Sequence, residues 1–278
     1  MTPTVAQTLA QCGLVPGDAH VILAHVLGKN RAWLAAHPED RLMPRQTNEF
    51  SALARRRREG EPVAYLTGIR EFWGLALAVT PAVLIPRPET EALVEFALSV
   101  LPLDRQTRVL ELGTGSGAIA LALAHERPHA QLLGTDLSRT ALAVAQDNAQ
   151  RLALSNVRFV VSDWYASVPG GEWDLIVSNP PYVSPEDPHL SEGDLRFEPV
   201  MALTADGAGL AALQAIIAGA FPRLVRGGWL IVEHGFDQSA AVQALFQSAG
   251  FAQLTRRRDL AGIARIVAGQ VADSARSR

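Results

Sequence analysis

A single cysteine, Cys12, stands in a chain of 278 residues, so no intramolecular disulfide and no thiolate metal cluster can form. The seven histidines (His20, His25, His37, His125, His129, His189 and His234) show no ligand spacing, and no metal is expected. Long hydrophobic runs are missing too; stretches such as 118–124 end well short of a bilayer span. The opening Met1-Thr2-Pro3-Thr4-Val5-Ala6-Gln7 has no basic region followed by an apolar one, so no signal peptide is expected and a cytoplasmic location is. Neither sign of charge dominates: 25 Lys and Arg face 28 Asp and Glu, a formal net charge of -3, which argues against bulk electrostatic attraction to nucleic acid. Internal repeats and low-complexity tracts are absent. What is present, 48% hydrophobic and 19% charged residues, suits a soluble globular protein long enough for two unequal domains.

Residues 1–68 read as short helices with apolar Leu9, Leu14, Val21, Leu23, Leu27, Trp33 and Leu34, punctuated by Gly13, Gly17, Gly28 and Pro38. A bundle this small suits a recognition module. Residues 69–87 read as a linking β-hairpin, with β-favouring residues at 71–79 and 82–85 and a turn near Thr80-Pro81. Residues 88–278 form the larger domain. After a helix at 89–101, strands (109–112, 131–135, 157–161, 175–177, 229–232) alternate with helices (119–126, 138–152, 209–224), which predicts a mostly parallel sheet covered on both faces. Two last strands, near 252–258 and 263–268, are joined too closely for a crossover helix and should pair antiparallel. A polar tail follows at 272–278.

The turn Gly113-Thr114-Gly115-Ser116-Gly117 lies between the first strand of this unit and its helix, where glycine admits positive φ and close approach of a ligand. By itself it is a weak signal, and Ala118 stands where a dinucleotide fingerprint has its third glycine. Asp136 ends the second strand, where α/β folds hold a carboxylate against ribose hydroxyls; capping the next helix is its other possible role, for which Ser138 is better suited. Ser162-Asp163-Trp164 closes the third strand, where Asp163 can meet an adenine amine and Trp164 can cover the ring, or simply join the core. Glu111, just before the turn, suits a cationic ligand. A carboxylate there, with no basic residue in the turn, favours S-adenosylmethionine over a dinucleotide.

The fourth strand ends in Ser178-Asn179-Pro180-Pro181-Tyr182. The Asn179 side-chain oxygen and the Pro180 carbonyl can both accept from one NH2 group, the proline rings stiffen the loop, and Tyr182 offers a flat wall to a planar group. Such positioning is the main service an already activated methyl donor requires. Asn179 can turn either end to a ligand, but the Pro180 carbonyl cannot donate. A carboxylate in place of an amide would therefore meet a buried oxygen–oxygen mismatch. The expected chemistry is methyl transfer to an amide or amino nitrogen, with glutamine accepted and glutamate refused.

With these residues in view, the chain resembles the HemK/PrmC family of methyltransferases that modify glutamine in class I peptide chain release factors. The likeness runs through nearly the whole chain: the helical N-terminal domain, Leu66-Thr67-Gly68, Glu71-Phe72-Trp73, Leu84-Ile85-Pro86-Arg87-Pro88-Glu89-Thr90-Glu91, the segment from Glu111 to Gly117, Ser162-Asp163-Trp164, Asn179 to Tyr182, Arg196-Phe197-Glu198-Pro199 and Glu233-His234-Gly235. The resemblance implies a class I methyltransferase fold, Rossmann-like, whose seven-stranded sheet has an antiparallel last strand. It implies S-adenosylmethionine held by Glu111, Gly113, Thr114, Gly115, Ser116, Gly117, Asp136, Asp163, Trp164 and Asn179. It also implies a glutamine, in a Gly-Gly-Gln loop of a release factor, held by Asn179, Pro180, Pro181 and Tyr182, of which Asn179, Pro180 and Tyr182 carry the catalysis. A role in translation termination follows.

Other readings stay open on the residues alone. A DNA adenine methyltransferase uses a similar acceptor motif on a flipped base, but needs a basic groove and a target-recognition domain. A sensor of the cofactor would have no use for the acceptor motif. The run Arg55-Arg56-Arg57-Arg58 reads as a solvated helix face or a contact for a partner or ribosomal RNA. His234 reads as structural, and Arg196 and Glu198 as residues shaping the substrate entrance.

Overall fold

In the computed structural model, which describes residues 2–259 and 261–272, the chain divides into two units. One comprises residues 2–69 together with Ser191–Phe197; the other comprises Arg70–Leu190 and residues 198–272. The tail read from 272 onward lies, beyond Ala272, outside the described residues.

The smaller unit is helical: Val5–Gln11, Pro16–Leu27, Arg31–Ala36, Pro44–Arg58 and Val63–Thr67. Its first helix begins with a capping box, in which the Thr4 side chain accepts from Gln7 N and the Gln7 side chain accepts from Thr4 N. The helices close on a core of Val5, Ile22, Leu23, Leu34, Leu42, Phe50 and Leu66, with Cys12 buried among them. The basic run at the end of Pro44–Arg58 is largely committed inside this unit. Arg56 pairs with Glu61 at 2.5 Å, Arg57 with Asp18 at 2.6 Å and Asp194 at 2.8 Å, and Arg58 donates to the Cys12 carbonyl at 2.7 Å. Arg57 and the bond from Arg196 to the Glu59 carbonyl fasten Ser191–Phe197 here. That segment is far in sequence from the helices it joins.

The hairpin exists, but its turn is not at Thr80-Pro81. Strands β1 (Ile69–Phe72) and β2 (Leu75–Ala78) meet through Trp73-Gly74, both at positive φ (53° and 71°). That is the backbone a two-residue hairpin turn demands, since its twist matches the flanking strands. The 82–85 segment, read from its β-favouring residues as the second strand, forms no ladder and runs beside the cavity described below.

Strands β3 (Arg108–Leu112), β4 (Gln131–Asp136), β5 (Val157–Val161), β6 (Trp173–Ser178), β7 (Leu224–Glu233), β8 (Ala252–Arg258) and β9 (Ala264–Gln270) form one sheet in the order β5-β4-β3-β6-β7-β9-β8. The pairs from β5 to β7 are parallel, and β9 runs antiparallel to both β7 and β8. Side chains alternate between two cores. Val109, Leu175 and Val177 face the helices Glu91–Val100, Ala118–Glu126 and Arg139–Arg151, while Leu110, Ile176 and Leu230 face Ala211–Ala220 and Ser239–Ser248. The last helix was missed in the sequence, although Val242 and Phe246, spaced by four, mark its buried face. The helix read over 209–224 is shorter because Gly207 and Ala208 are left-handed before it.

One buried side chain ties the hairpin to the sheet. Asn148, on Arg139–Arg151, accepts from Ala78 N at 2.6 Å and donates to Ala78 O and Ser116 O at 3.0 Å each. Asn148→Ala orphans the Ala78 N–H and two carbonyls, and should cost about 3 kcal/mol of folding free energy. Urea denaturation measures this, and a loss below about 0.5 kcal/mol would show that the hairpin is held by packing alone.

Candidate active site

Strand register builds the site. Leu112 stands level with Thr135 on one side and Ser178 on the other, Asp136 with Val161, and Ser178 with Val232. The carboxyl ends of five neighbouring parallel strands therefore carry Gly113, Asp136, Ser162, Asn179 and Glu233 along one edge. That edge is where open α/β sheets bind ligands.

The glycine turn is held from below and from the side. Thr114 N donates to Thr135 O at 2.8 Å, and the Thr114 hydroxyl donates to Glu111 Oε2 at 2.5 Å. The same Glu111 oxygen accepts from Ala120 N at 3.0 Å. Asp136 accepts from Gly115 N at 2.9 Å through one oxygen and from Ser138 N at 2.8 Å through the other, while Ser138 caps the following helix. Gly115 is at φ 55° with open space where a Cβ would project, so the backbone there is bare toward a ligand. Gly117, at φ 85°, caps the helix Ala118–Glu126 instead. Burial pushes the Glu111 carboxyl up to about 8, against the bonds from Thr114 and Ala120, with a smaller push from Asp136.

Above this turn lies a cavity of about 180 Å³, whose lining includes Gly113, Gly115, Asp136, Asp163, Trp164, Asn179 and Pro181. A smaller one, of about 50 Å³, shares Gly113, Gly115 and Asn179 and reaches Glu111, Thr114, Ser116 and Thr90. Trp164 is left-handed (φ 43°), braced by the Ser162 hydroxyl on its carbonyl at 2.8 Å. A bulky residue in that conformation is strained, as ligand sites often require. Carboxylates dominate these linings: Glu111, Asp136 and Asp163 face one guanidinium, Arg87, itself engaged by Glu198. Such a donor set suits a cationic ligand rather than a phosphorylated one.

Asn179 lines both cavities and donates from Nδ2 to the Thr90 hydroxyl at 3.1 Å. Pro180 is buried behind it. Tyr182 lines neither cavity; its ring packs on the core and its hydroxyl donates to Glu233 Oε1 at 3.1 Å. The exit of the motif is clamped. The Tyr182 carbonyl accepts from Gln238 at 3.0 Å, and Val183 bonds to Leu203 O and Ala205 N. Gly209 (φ 79°) passes so close to the Tyr182 carbonyl that a Cβ would collide with it. His234 is wholly buried, bonded through Nδ1 to Gly235 O at 2.7 Å; desolvation lowers its pKa. No group of three or more His, Cys, Asp or Glu able to hold a metal occurs among the described residues. Nor is any helix among them long and apolar enough to cross a membrane.

The family comparisons agree with this geometry. The PrmC N-terminal domain family matches residues 4–68, and the methyltransferase small domain family matches residues 90–193. The release factor glutamine methyltransferase of Bordetella pertussis (strain Tohama I) is 53% identical over 262 residues, which are 94% of this chain and 97% of that protein. The protein of the same name from Escherichia coli (strain K12) is 47% identical over 253 residues, 91% of each chain. The chain belongs to the release factor glutamine methyltransferase family. It has the class I methyltransferase fold that the resemblance implied. A methyltransferase from Pyrococcus furiosus shares that fold at a TM-score of 0.56 and 18% identity, over 80% of this chain and 99% of that one.

Sequence reasoning missed one wall of the larger cavity. Ala82, Val83 and Leu84 face it from the segment after the hairpin, and Pro199, Met201 and Ala202 from the segment after the acceptor loop. Glu198 joins the two: its side chain is fully buried, accepting from Ile85 N at 3.0 Å and from Arg87 at 2.5 Å. The signal was the pair of charged residues within Pro-rich runs, which spacing alone cannot match up. Arg87→Ala strands that carboxylate without its cation. Proteolysis of the 183–199 loop should then accelerate several-fold, and an unchanged rate would mean that the wall is held by other contacts.

Proposed function

We propose that this chain methylates the side-chain amide nitrogen of the glutamine in the Gly-Gly-Gln motif of class I peptide chain release factors, with S-adenosylmethionine as donor. The observation that carries this reading is Asn179, at the mouth of an acidic, glycine-floored cavity, in a chain of this family. The substrate belongs to translation termination and is met in the cytoplasm.

When bound, S-adenosylmethionine would supply a methyl group already activated on a sulfonium, for transfer to the amide nitrogen with loss of that nitrogen's proton to water. The chain's residues hold and orient. Gly113, Thr114, Gly115 and Ser116 supply the floor, Gly117 starts the helix behind it, and Glu111 answers positive charge. Asp136 is suited to ribose hydroxyls, and Asp163 and Trp164 to the adenine. Asn179 Oδ1 and the Pro180 carbonyl accept from the glutamine NH2, with Pro181 beside them. Tyr182, tied to Glu233, keeps the loop from tilting. No strong base is required, because the methyl group is already activated and positioning carries the rate.

Incubating the protein with labelled S-adenosylmethionine, a purified release factor and duplex DNA tests the reading. Label belongs on the release-factor glutamine; label on DNA alone would overturn it. Asn179→Ala should lower turnover by about a hundredfold, whereas Asp136→Ala should chiefly weaken cofactor binding in calorimetry. Cofactor affinity should also rise with pH up to about 8, because a cationic ligand favours the ionised Glu111 and its binding expels that proton. Glu111→Gln should flatten this dependence. A wild-type affinity indifferent to pH between 6 and 9 would separate Glu111 from the cation.

A further inference from the structure

Asparagine is an ambiguous tool for recognising an amide, because its side chain can turn either its oxygen or its NH2 toward a ligand. In this structure the side-chain Nδ2 of Asn179 faces the Thr90 hydroxyl at 3.1 Å. Thr90 is 4% exposed and ends the turn Pro88–Thr90. The Glu233 carboxylate lies near enough to the same hydroxyl for Thr90 to lower its pKa, although no hydrogen bond of regular geometry joins the two. Glu233 is 1% exposed; its Oε1 accepts from Tyr182, and Oε2 has no hydrogen-bond partner of regular geometry among the described residues. Register explains why these groups meet. Ser178 and Val232 are level on parallel neighbours, so Asn179 and Glu233 follow them side by side.

We propose that Thr90 and Glu233 are positioning residues that fix the polarity of the Asn179 side chain and so make it a glutamine-specific acceptor. The inference rests on the glutamine reading above. An ionised carboxylate can only accept hydrogen bonds. Glu233 therefore draws the protons of both the Tyr182 and the Thr90 hydroxyls. Thr90, its single proton spent, offers Asn179 only lone pairs, and Asn179 must answer with Nδ2. Oδ1 is left as the side-chain atom available to the cavity. A glutamine NH2 meets an acceptor there, while a glutamate would need the side chain flipped against Thr90. Selection against an acid thus begins two residues behind the atom that touches the substrate.

Ionisation of Glu233 belongs to the same device. Burial pushes its pKa up to about 7, opposed by Thr90, Tyr182 and Arg265 on β9; Glu89 raises it further, and His234 follows it just past the end of β7. Once protonated, Glu233 can donate, the direction of the Thr90 bond is released, and Asn179 is free to turn.

The test uses full-length protein and a release factor carrying either glutamine or glutamate in its Gly-Gly-Gln loop. A glutamate would gain a methyl ester at a carboxylate oxygen, with no proton released, so both products take label from S-adenosylmethionine. Thr90→Val and Glu233→Gln preserve shape and should each lower kcat on glutamine about tenfold. They should also cut the glutamine-to-glutamate preference about tenfold, with cofactor binding by calorimetry unchanged. Thr90→Ser, which keeps the hydroxyl, should restore both values. Wild-type kcat should rise with pH through about 7 as Glu233 ionises, and this limb should vanish in Glu233→Gln. Variants with wild-type turnover and preference would overturn the proposal. So would variants that lose turnover while preference and pH profile stay put, since that marks a merely structural role. A wild-type protein that labels neither release factor would instead overturn the glutamine reading itself, a result no Thr90 variant can mimic.

Discussion

The parallel register of five strands is the constraint on which the remaining chemistry depends. Leu112 level with both Thr135 and Ser178, and Ser178 level with Val232, bring the glycine turn, Asp136, Asn179 and Glu233 to one edge. Because strand side chains alternate with a period of two, slipping β6 by one residue would exchange its two faces. Leu175 and Val177 would then leave one core as Ile176 left the other. The hydrophobic pattern that folds the sheet thus also aligns the site. No functional residue has to specify its own position. Ser178 adds a local lock, its hydroxyl bonded to Leu112 O at 2.7 Å between the two central strands.

Beneath this edge the protein keeps two ionisable carboxyls where water cannot reach them. Glu111 and Glu233 are both buried, and both carboxyls lie above their ordinary range, at about 8 and about 7. The sign is unfavourable to folding at neutral pH. As pH rises from the ordinary carboxylate range, the unfolded chain sheds these protons first. Stability then falls until the folded-state values are passed. A pair of apolar residues would fold better, so the carboxyls are explained by what they serve: the cationic cofactor proposed for Glu111, and the Tyr182 hydroxyl at Glu233. Local rules give way where the site requires it.

Legibility in the sequence followed the same division. The alternation of strands and helices, the antiparallel end of the sheet and the position of the 179–182 tetrapeptide at the end of a buried strand were readable because period and motif are local properties. Asp136 and Trp164 were readable as ends of strands, though the structure adds that Asp136 braces Gly115 and that Trp164 is left-handed. The hairpin turn was misread because Thr80-Pro81 has the stronger turn composition, while Trp73 needs a positive φ that its side chain does not advertise. The helix Ser239–Ser248 and the cavity wall at 82–84 and 199–202 went unread for different reasons. The first has a short apolar repeat among small residues. The second exists only because Glu198 reaches Arg87 and Ile85 across 111 and 113 positions of sequence.

The acceptor motif shows where a motif stops being an explanation. Its two prolines stiffen four residues, yet stiffness does not aim them. Aim comes from outside: Gln238 on the Tyr182 carbonyl, the bridge from Val183 to residues 203–205, and Gly209, where any side chain would strike that carbonyl. Thr90 then decides which end of Asn179 faces inward. The same tetrapeptide set in another frame could present another nitrogen, on a base or a free amine. Substrate identity is therefore a property of the frame, and the residues that build it lie outside the motif: in the Pro88–Thr90 turn, at the end of β7 and before the helix Ala211–Ala220.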